Sequence, residues 1–181
     1  MDPGNQKENC PFMKVCICLN FILMAGKQPI SFRVYQFLAD EALKASSDFD
    51  QAVFAHLFLV LCWNLAGRSN SIGTLQFANL AVKDDAIGIT FPTTKTDKTG
   101  DNKIERHVYA NVVNPSICPY LALGIFVFTA GRRNLYAESL IQLLFGQKNA
   151  EARFSKWLNT ALKKHQDILE QMGVSPGSIG V

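Results

Sequence analysis

Long uninterrupted apolar runs are absent from this sequence. The most apolar stretch, Phe12 to Ala25, is broken by Lys14 and Asn20. It falls short of the roughly 20 apolar residues that a bilayer-spanning helix needs. The residues before it include Asp2 and Glu8, not the basic start of a secretory leader, and no small-residue cleavage site follows. Neither a membrane span nor export is expected, which leaves the cytoplasm or nucleus. The stretch reads as a buried helix or an ill-defined leader, behind a loose polar start. Cysteine is scarce in useful combinations. Cys10, Cys16, Cys18, Cys62 and Cys118 are odd in number, and the first three lack a second pair or a nearby His. That excludes a disulfide framework, argues against a zinc site, and suits buried thiols in a reducing compartment. Internal repeats and low-complexity tracts are also lacking.

What is present is an ordinary globular composition. The 181 residues are 48% hydrophobic and 18% charged, enough for one domain with its own core and against wholesale disorder. We expect residues 1–25 to be a leader or partial helix, and residues 26–181 to form the domain. The net charge of +3 hides an asymmetry. Between Gly131 and His165 seven positives (Arg132, Arg133, Lys148, Arg153, Lys156, Lys163, Lys164) face only Glu138 and Glu151, so the rest of the chain sums to −2. A local basic excess favours a polyanion, although a solvated helical face has the same look.

Periodicity predicts the elements. Ser31 can cap a helix to Ala45 with Val34, Phe37, Leu38 and Ala42 on one face. Asp48 with Gln51 resembles a capping box for Ala52 to Leu65, which is apolar on nearly every side and belongs in the centre of a core. Gly67 suits its C-terminal cap. A polar turn, Arg68-Ser69-Asn70, leads into a brief helix to about Phe77. Leu80 to Val82, Ile87 to Phe91 and Ile104 to Tyr109 alternate as strands, with turns at Asp84-Asp85 and Thr96 to Asn102. Asn114-Pro115 opens a helix to about Thr129, Gly131 to Asn149 is mostly connector, and Glu151 to Met172 is one long helix. The expected fold is mainly α with a small three-stranded antiparallel β-sheet.

The order of these features carries a resemblance. Gly67-Arg68 ends the core helix, Leu75 lies seven positions past the arginine, and Asn79-Leu80 closes the short helix. A hairpin turn follows, Thr94-Lys95-Thr96-Asp97-Lys98-Thr99-Gly100. The segments Cys62-Trp63-Asn64-Leu65, Lys95-Thr96-Asp97, Arg106-His107-Val108-Tyr109-Ala110-Asn111 and Cys118-Pro119-Tyr120-Leu121-Ala122-Leu123 add finer wording, and Leu144-Phe145 and Arg153-Phe154-Ser155 continue it. From about Gly26 to Val181 the chain resembles the tyrosine recombinase (phage-integrase) family, and within it the Crypton-type mobile-element recombinases. It departs from the family pattern at Ser71, where a Glu is often found, and at Asn79, where an Asp is usual.

The resemblance implies a nuclear protein that grips double-stranded DNA, possible self-assembly on that DNA, and no metal, nucleotide cofactor or small-molecule substrate. It assigns Arg68 to the scissile phosphate, where a guanidinium donates paired hydrogen bonds to phosphate oxygens. It assigns Lys95, with Lys98 as the alternative, to protonation of the leaving 5′-oxygen. Arg106, His107, Arg132, Arg133, Lys163 and Lys164 become candidate DNA contacts. Each has a plainer reading beside it. Arg68 can serve the last carbonyls of its helix, Lys95 and Lys98 can be solvated turn residues, and Arg106-His107 can be an exposed strand pair. Trp63 and Trp157 read as core, and Asp84-Asp85 as a turn, not a metal site. The family completes its site with His-x-x-Arg and a later nucleophilic Tyr. None of His56, His107 and His165 has Arg three positions on, and the last tyrosine is Tyr136. The expectation is a domain lacking its C-terminal part. The rival is a non-catalytic DNA-binding or scaffold module derived from a mobile element.

Overall fold

The computed structural model describes residues 30–44, 48–91, 104–129, 143–146, 149–174 and 179. The proposed leader, Lys95, Lys98, Arg132, Arg133, Cys10, Cys16 and Cys18 lie outside them. The fold is mainly helical with one small sheet. Helix α1 spans Phe32–Lys44, α2 Phe49–Leu65 and α3 Ser69–Gly73, followed by a 3-10 turn at Phe77–Asn79. Strands β1 (Leu80–Val82), β2 (Ala86–Thr90) and β3 (Glu105–Tyr109) come next. A second 3-10 turn (Pro115–Ile117) then precedes α4 (Pro119–Thr129), α5 (Ala150–Lys164) and α6 (Gln166–Gln171).

Helix α2 is the centre. Thirteen of its seventeen residues are buried, and α1, α4, α5 and the sheet pack around it. Its start is fixed as the sequence suggests, with Asp48 Oδ1 accepting from the Gln51 N–H at 3.2 Å. Ser31 Oγ likewise accepts from the Val34 N–H, at 3.4 Å. The aromatic packing is continuous: Phe58 stacks on Phe154 with centroids 4.5 Å apart and meets Phe145 at 5.1 Å. Tyr35, fully buried on α1, stacks on Trp63 at 4.2 Å and 5°.

The sheet has the order β1-β2-β3 and is antiparallel throughout. Val82 pairs with Ile87, and Ile87 and Ile89 pair with Val108 and Arg106. The strand period of two puts Ile87, Ile89 and Val108 on the buried face. After β3, Leu143 bridges to Gln76, and the Leu144 N–H donates to the Leu75 carbonyl at 2.7 Å.

Four local expectations are corrected. The left-handed residue closing α2 is Ala66 (φ 46°), not Gly67. Ala66 N–H donates to Trp63 O and Gly67 N–H to Cys62 O, both at 3.2 Å, which is a Schellman closure. Gly67 is required for space: a Cβ there would lie 2.8 Å from Ile72 Cδ1 and 3.5 Å from Phe91 Cζ. The short helix contains the supposed polar turn and ends at Gly73, ahead of the separate 3-10 turn. The helix expected from Asn114 is interrupted at Cys118 (φ −79°, ψ 118°), because a residue before proline is pushed out of helical geometry. Pro119 then starts α4. The long C-terminal helix breaks at His165 (φ −113°, ψ 27°). The break lets Leu169 take the buried position and leaves Ile168 40% exposed.

Several buried side chains of the core are titratable, among them Tyr35, His56 and Cys62. His56 is fully buried; its Nε2–H donates to the Ser116 carbonyl at 2.6 Å, and its Nδ1 has no partner. Burial pushes its pKa below the usual 6.5, against an opposing effect of the Ser116 carbonyl.

Two predictions follow from these sites. Ala66→Gly removes the left-handed penalty and is expected to stabilise the fold by about 0.5–1 kcal/mol, whereas Gly67→Ala costs about 1–3 kcal/mol through overpacking against Ile72. Urea midpoints test the pair, and stabilisation by both would contradict the assignment. His56 is a base whose folded pKa is depressed. The unfolded chain therefore binds more protons below its own pKa. The stability due to neutral His56 is full above about pH 6.5 and declines as pH falls below it. The loss between pH 7.5 and pH 5.5 should be smaller in His56→Gln than in the wild type; equal losses would exclude His56 as the cause.

Candidate nucleic-acid interface

The end of α2 delivers Gly67 and Arg68 to one edge of the core. Arg68 is extended (φ −68°, ψ 145°) and leads directly into α3. Its side chain is half-buried and partnered. Two other elements converge on this turn. Phe91, at the base of the hairpin between β2 and β3, reaches the Gly67 position. From β3, Arg106 donates through Nη1 to the Leu65 carbonyl and lays its guanidinium over Phe91, 5.1 Å from the ring centroid. The helix end and the mouth of the hairpin are thus joined by one arginine.

Arg106 thus serves a carbonyl at the end of α2. Lys95 and Lys98 lie outside the described residues, but both ends of their loop, Phe91 and Ile104, are described. The hairpin stem that carries them is seated against the Arg68 turn.

His107 does not join this group. Alternation along β3 places it on the opposite face, with Glu105 and Tyr109. There Glu105 Oε1 is 3.2 Å from both Lys83 Nζ and His107 Nε2. Lys83, ahead of His107, holds the Glu105 carboxyl below its ordinary range. Glu105 also lies across Gly88, where a Cβ would come within 1.8 Å of Oε1. His107 belongs to this outer strand cluster.

Lys163 and Lys164 are also remote from Arg68. The first turn of α5 touches α3, where Ser69 Oγ donates to Glu151 Oε1 at 3.2 Å. Lys164 follows thirteen residues later on the same helix, about 20 Å away at 1.5 Å per residue. Both lysines are exposed. Sequence reasoning passed over Arg153, whose guanidinium sits 4.0 Å from the Phe54 ring centroid. Its signal was its place directly before the core residue Phe154. Of the tryptophans, Trp63 is core, whereas Trp157 is half-buried at the edge of a groove. Asp84 and Asp85 form an exposed turn between β1 and β2. Cys62 and Cys118 are free buried thiols.

Among the described residues no group of three or more His, Cys, Asp or Glu side chains is placed to hold a metal ion, and no helix is long and apolar enough to cross a membrane. No protein-family model matches the chain, and no curated protein or solved structure matches it either.

Arg106 makes a charge-assisted bond and a ring contact, so Arg106→Ala is expected to cost about 2 kcal/mol. His107→Ala, on the exposed face, should stay within about 0.5 kcal/mol. Chemical denaturation of the two variants compares them. Equal effects would mean that the strand faces are assigned wrongly.

Proposed function

We propose that this chain is a DNA-binding domain of the tyrosine-recombinase type, nearest to the Crypton-type elements. The observation that supports it best is the convergence just described. Gly67-Arg68, the base of the hairpin bearing Lys95 and Lys98, and Arg106 of β3 meet at one edge of a rigid core. A guanidinium that is to meet a phosphate gains from being held in advance, because no reorganisation is then needed at binding. The backbone of Arg68, at the end of the most buried helix, is placed by that core.

In this reading duplex DNA lies across the turn, with one backbone phosphate at Arg68. In a form of the protein that also carries His-x-x-Arg and a nucleophilic Tyr, the phenolic oxygen attacks that phosphorus. The bond to the 5′-oxygen breaks, and Lys95 or Lys98 supplies the proton to the leaving group. The phosphate remains on the tyrosine until the reverse attack by a 5′-hydroxyl rejoins the strand. Neither metal nor nucleotide is consumed. The protein would work in the nucleus, on double-stranded DNA, with copies assembling there.

A second reading is a module that holds duplex DNA without cutting it. Both readings share Arg68 as a phosphate ligand.

Fluorescence anisotropy with a labelled duplex tests this common element. If Arg68, the hairpin lysines and the basic residues between Gly131 and His165 neutralise about five phosphates, the logarithm of affinity should fall with log salt at a slope of about −4 or steeper. Arg68→Ala should weaken binding by about tenfold and make the slope shallower by about 1. A flat salt response in the wild type would defeat both readings. With a suicide duplex substrate, a covalent protein–DNA adduct supports the cutting form and binding without an adduct supports the module.

A further inference from the structure

We propose that the open groove between α5 and the facing parts of α1 and α2 binds an unpaired nucleotide, its base on an apolar floor and its phosphate on the cations of α5. The groove has a volume of about 460 Å³, within the range of about 300–1,000 Å³ typical of small-ligand sites. Its floor is Ala52, Trp157 and Ala161. Trp157 packs on Phe154 with centroids 5.8 Å apart and rings 26° from parallel, and it also lines the groove, so part of its indole is presented to an incoming ring.

Arg153, Lys156, Thr160 and Lys164 line the same groove. Their spacing of three, four and four residues places them on one helix face, along about 16 Å. Two carboxylates also line the groove, and each has a partner. Glu41 lies 2.9 Å from Lys44 and 3.3 Å from His165, and Asp48 caps α2. Among the described residues no ion pair neutralises Arg153, Lys156 or Lys164. Burial, acting against Asp48, lowers the Arg153 pKa, a penalty that an arriving anion would relieve.

Cations alone suit any anion. Cations beside an aromatic ring are the combination that holds single-stranded nucleic acid, because every base offers a face to stack. The aromatic floor therefore favours a nucleotide over an acidic peptide. The site shares Arg153, Lys156 and Lys164 with the basic segment counted for the duplex, but Arg68 does not line it, so this proposal rests on the groove's own lining. A nucleotide unit could come from a strand or from free nucleotide, and the ligands of the test separate these sources.

The test titrates the full chain with an oligothymidylate single strand, thymidine monophosphate and poly-glutamate, following tryptophan emission. Trp63 is only 8% exposed and covered by Tyr35, so quenching should report Trp157. Saturable quenching by the oligonucleotide is expected, with its loss in Trp157→Phe. Lys156→Ala/Lys164→Ala should bind at least about tenfold more weakly, with a salt slope shallower by about 1.4. Equal affinity for the monophosphate assigns the site to free nucleotide, and preference for the oligonucleotide assigns it to a strand. Three results would each overturn the proposal: quenching that survives in Trp157→Phe, unchanged affinity in the double lysine variant, or poly-glutamate competing as well as the oligonucleotide.

Discussion

Helix α2 has almost no side that tolerates water, and the arrangement of the other elements answers to that. A surface helix needs one apolar stripe, but a helix buried over thirteen of seventeen residues needs partners all round. Helices α1, α4 and α5 and strand β3 supply them. The aromatic contacts of Phe54 and Phe58 with Phe145 and Phe154 make the core intolerant of truncation, at about 3–5 kcal/mol for a lost phenylalanine. His56, drawn into the core, finds the Ser116 carbonyl through Nε2, while its Nδ1 has no partner. The C-terminal end of α2 consequently emerges at a place fixed by the whole core, and Arg68 inherits that fixity.

Several features that set this frame were readable from local pattern. Asp48 and Ser31 act within three residues of their partners, and the strands alternate within short windows. The errors share a different character. Ala66 takes the left-handed position although glycine lies next to it, because Gly67 is reserved for the close approach of Ile72 and Phe91. That preference comes from residues distant along the chain. The break at Cys118 was legible in principle, since Pro119 follows it. The break at His165 has no local signal. It coincides with a bridge from His165 to Glu41 and an edge contact with Phe37 at 5.2 Å, both contributed by α1. Tyr35 was missed because its ring looks amphipathic in sequence, and Trp63 and Phe32 pack against it.

The candidate site divides along the same line. Arg106 and His107 are neighbours in sequence, yet the period of a strand sends them to opposite faces, and only Arg106 reaches the Arg68 turn. Its register with Ile89 and its place two residues before the buried Val108 could have separated them. The lysine pair at the end of α5 and Arg68 at the end of α2 belong to one basic chain segment plus one core helix, but charge counts carry no distance. The packing of α5 across α2 and α3 sets them far apart.

That separation gives the two arginines distinct physical tasks. The C-terminal end of a helix carries partial negative charge on its last carbonyls, which would repel a phosphate approaching the Gly67-Arg68 turn. Arg106 places a guanidinium on the Leu65 carbonyl and against Phe91, so the helix end is neutralised from within the fold. With Arg106 in that role, the proposed phosphate meets a turn whose negative end is already compensated. A Lys at position 106 would keep the charge but lose the planar group that bonds the carbonyl and covers the ring together. The proposed role of Arg68 therefore rests as much on the residue beside it in space as on its own place in the sequence.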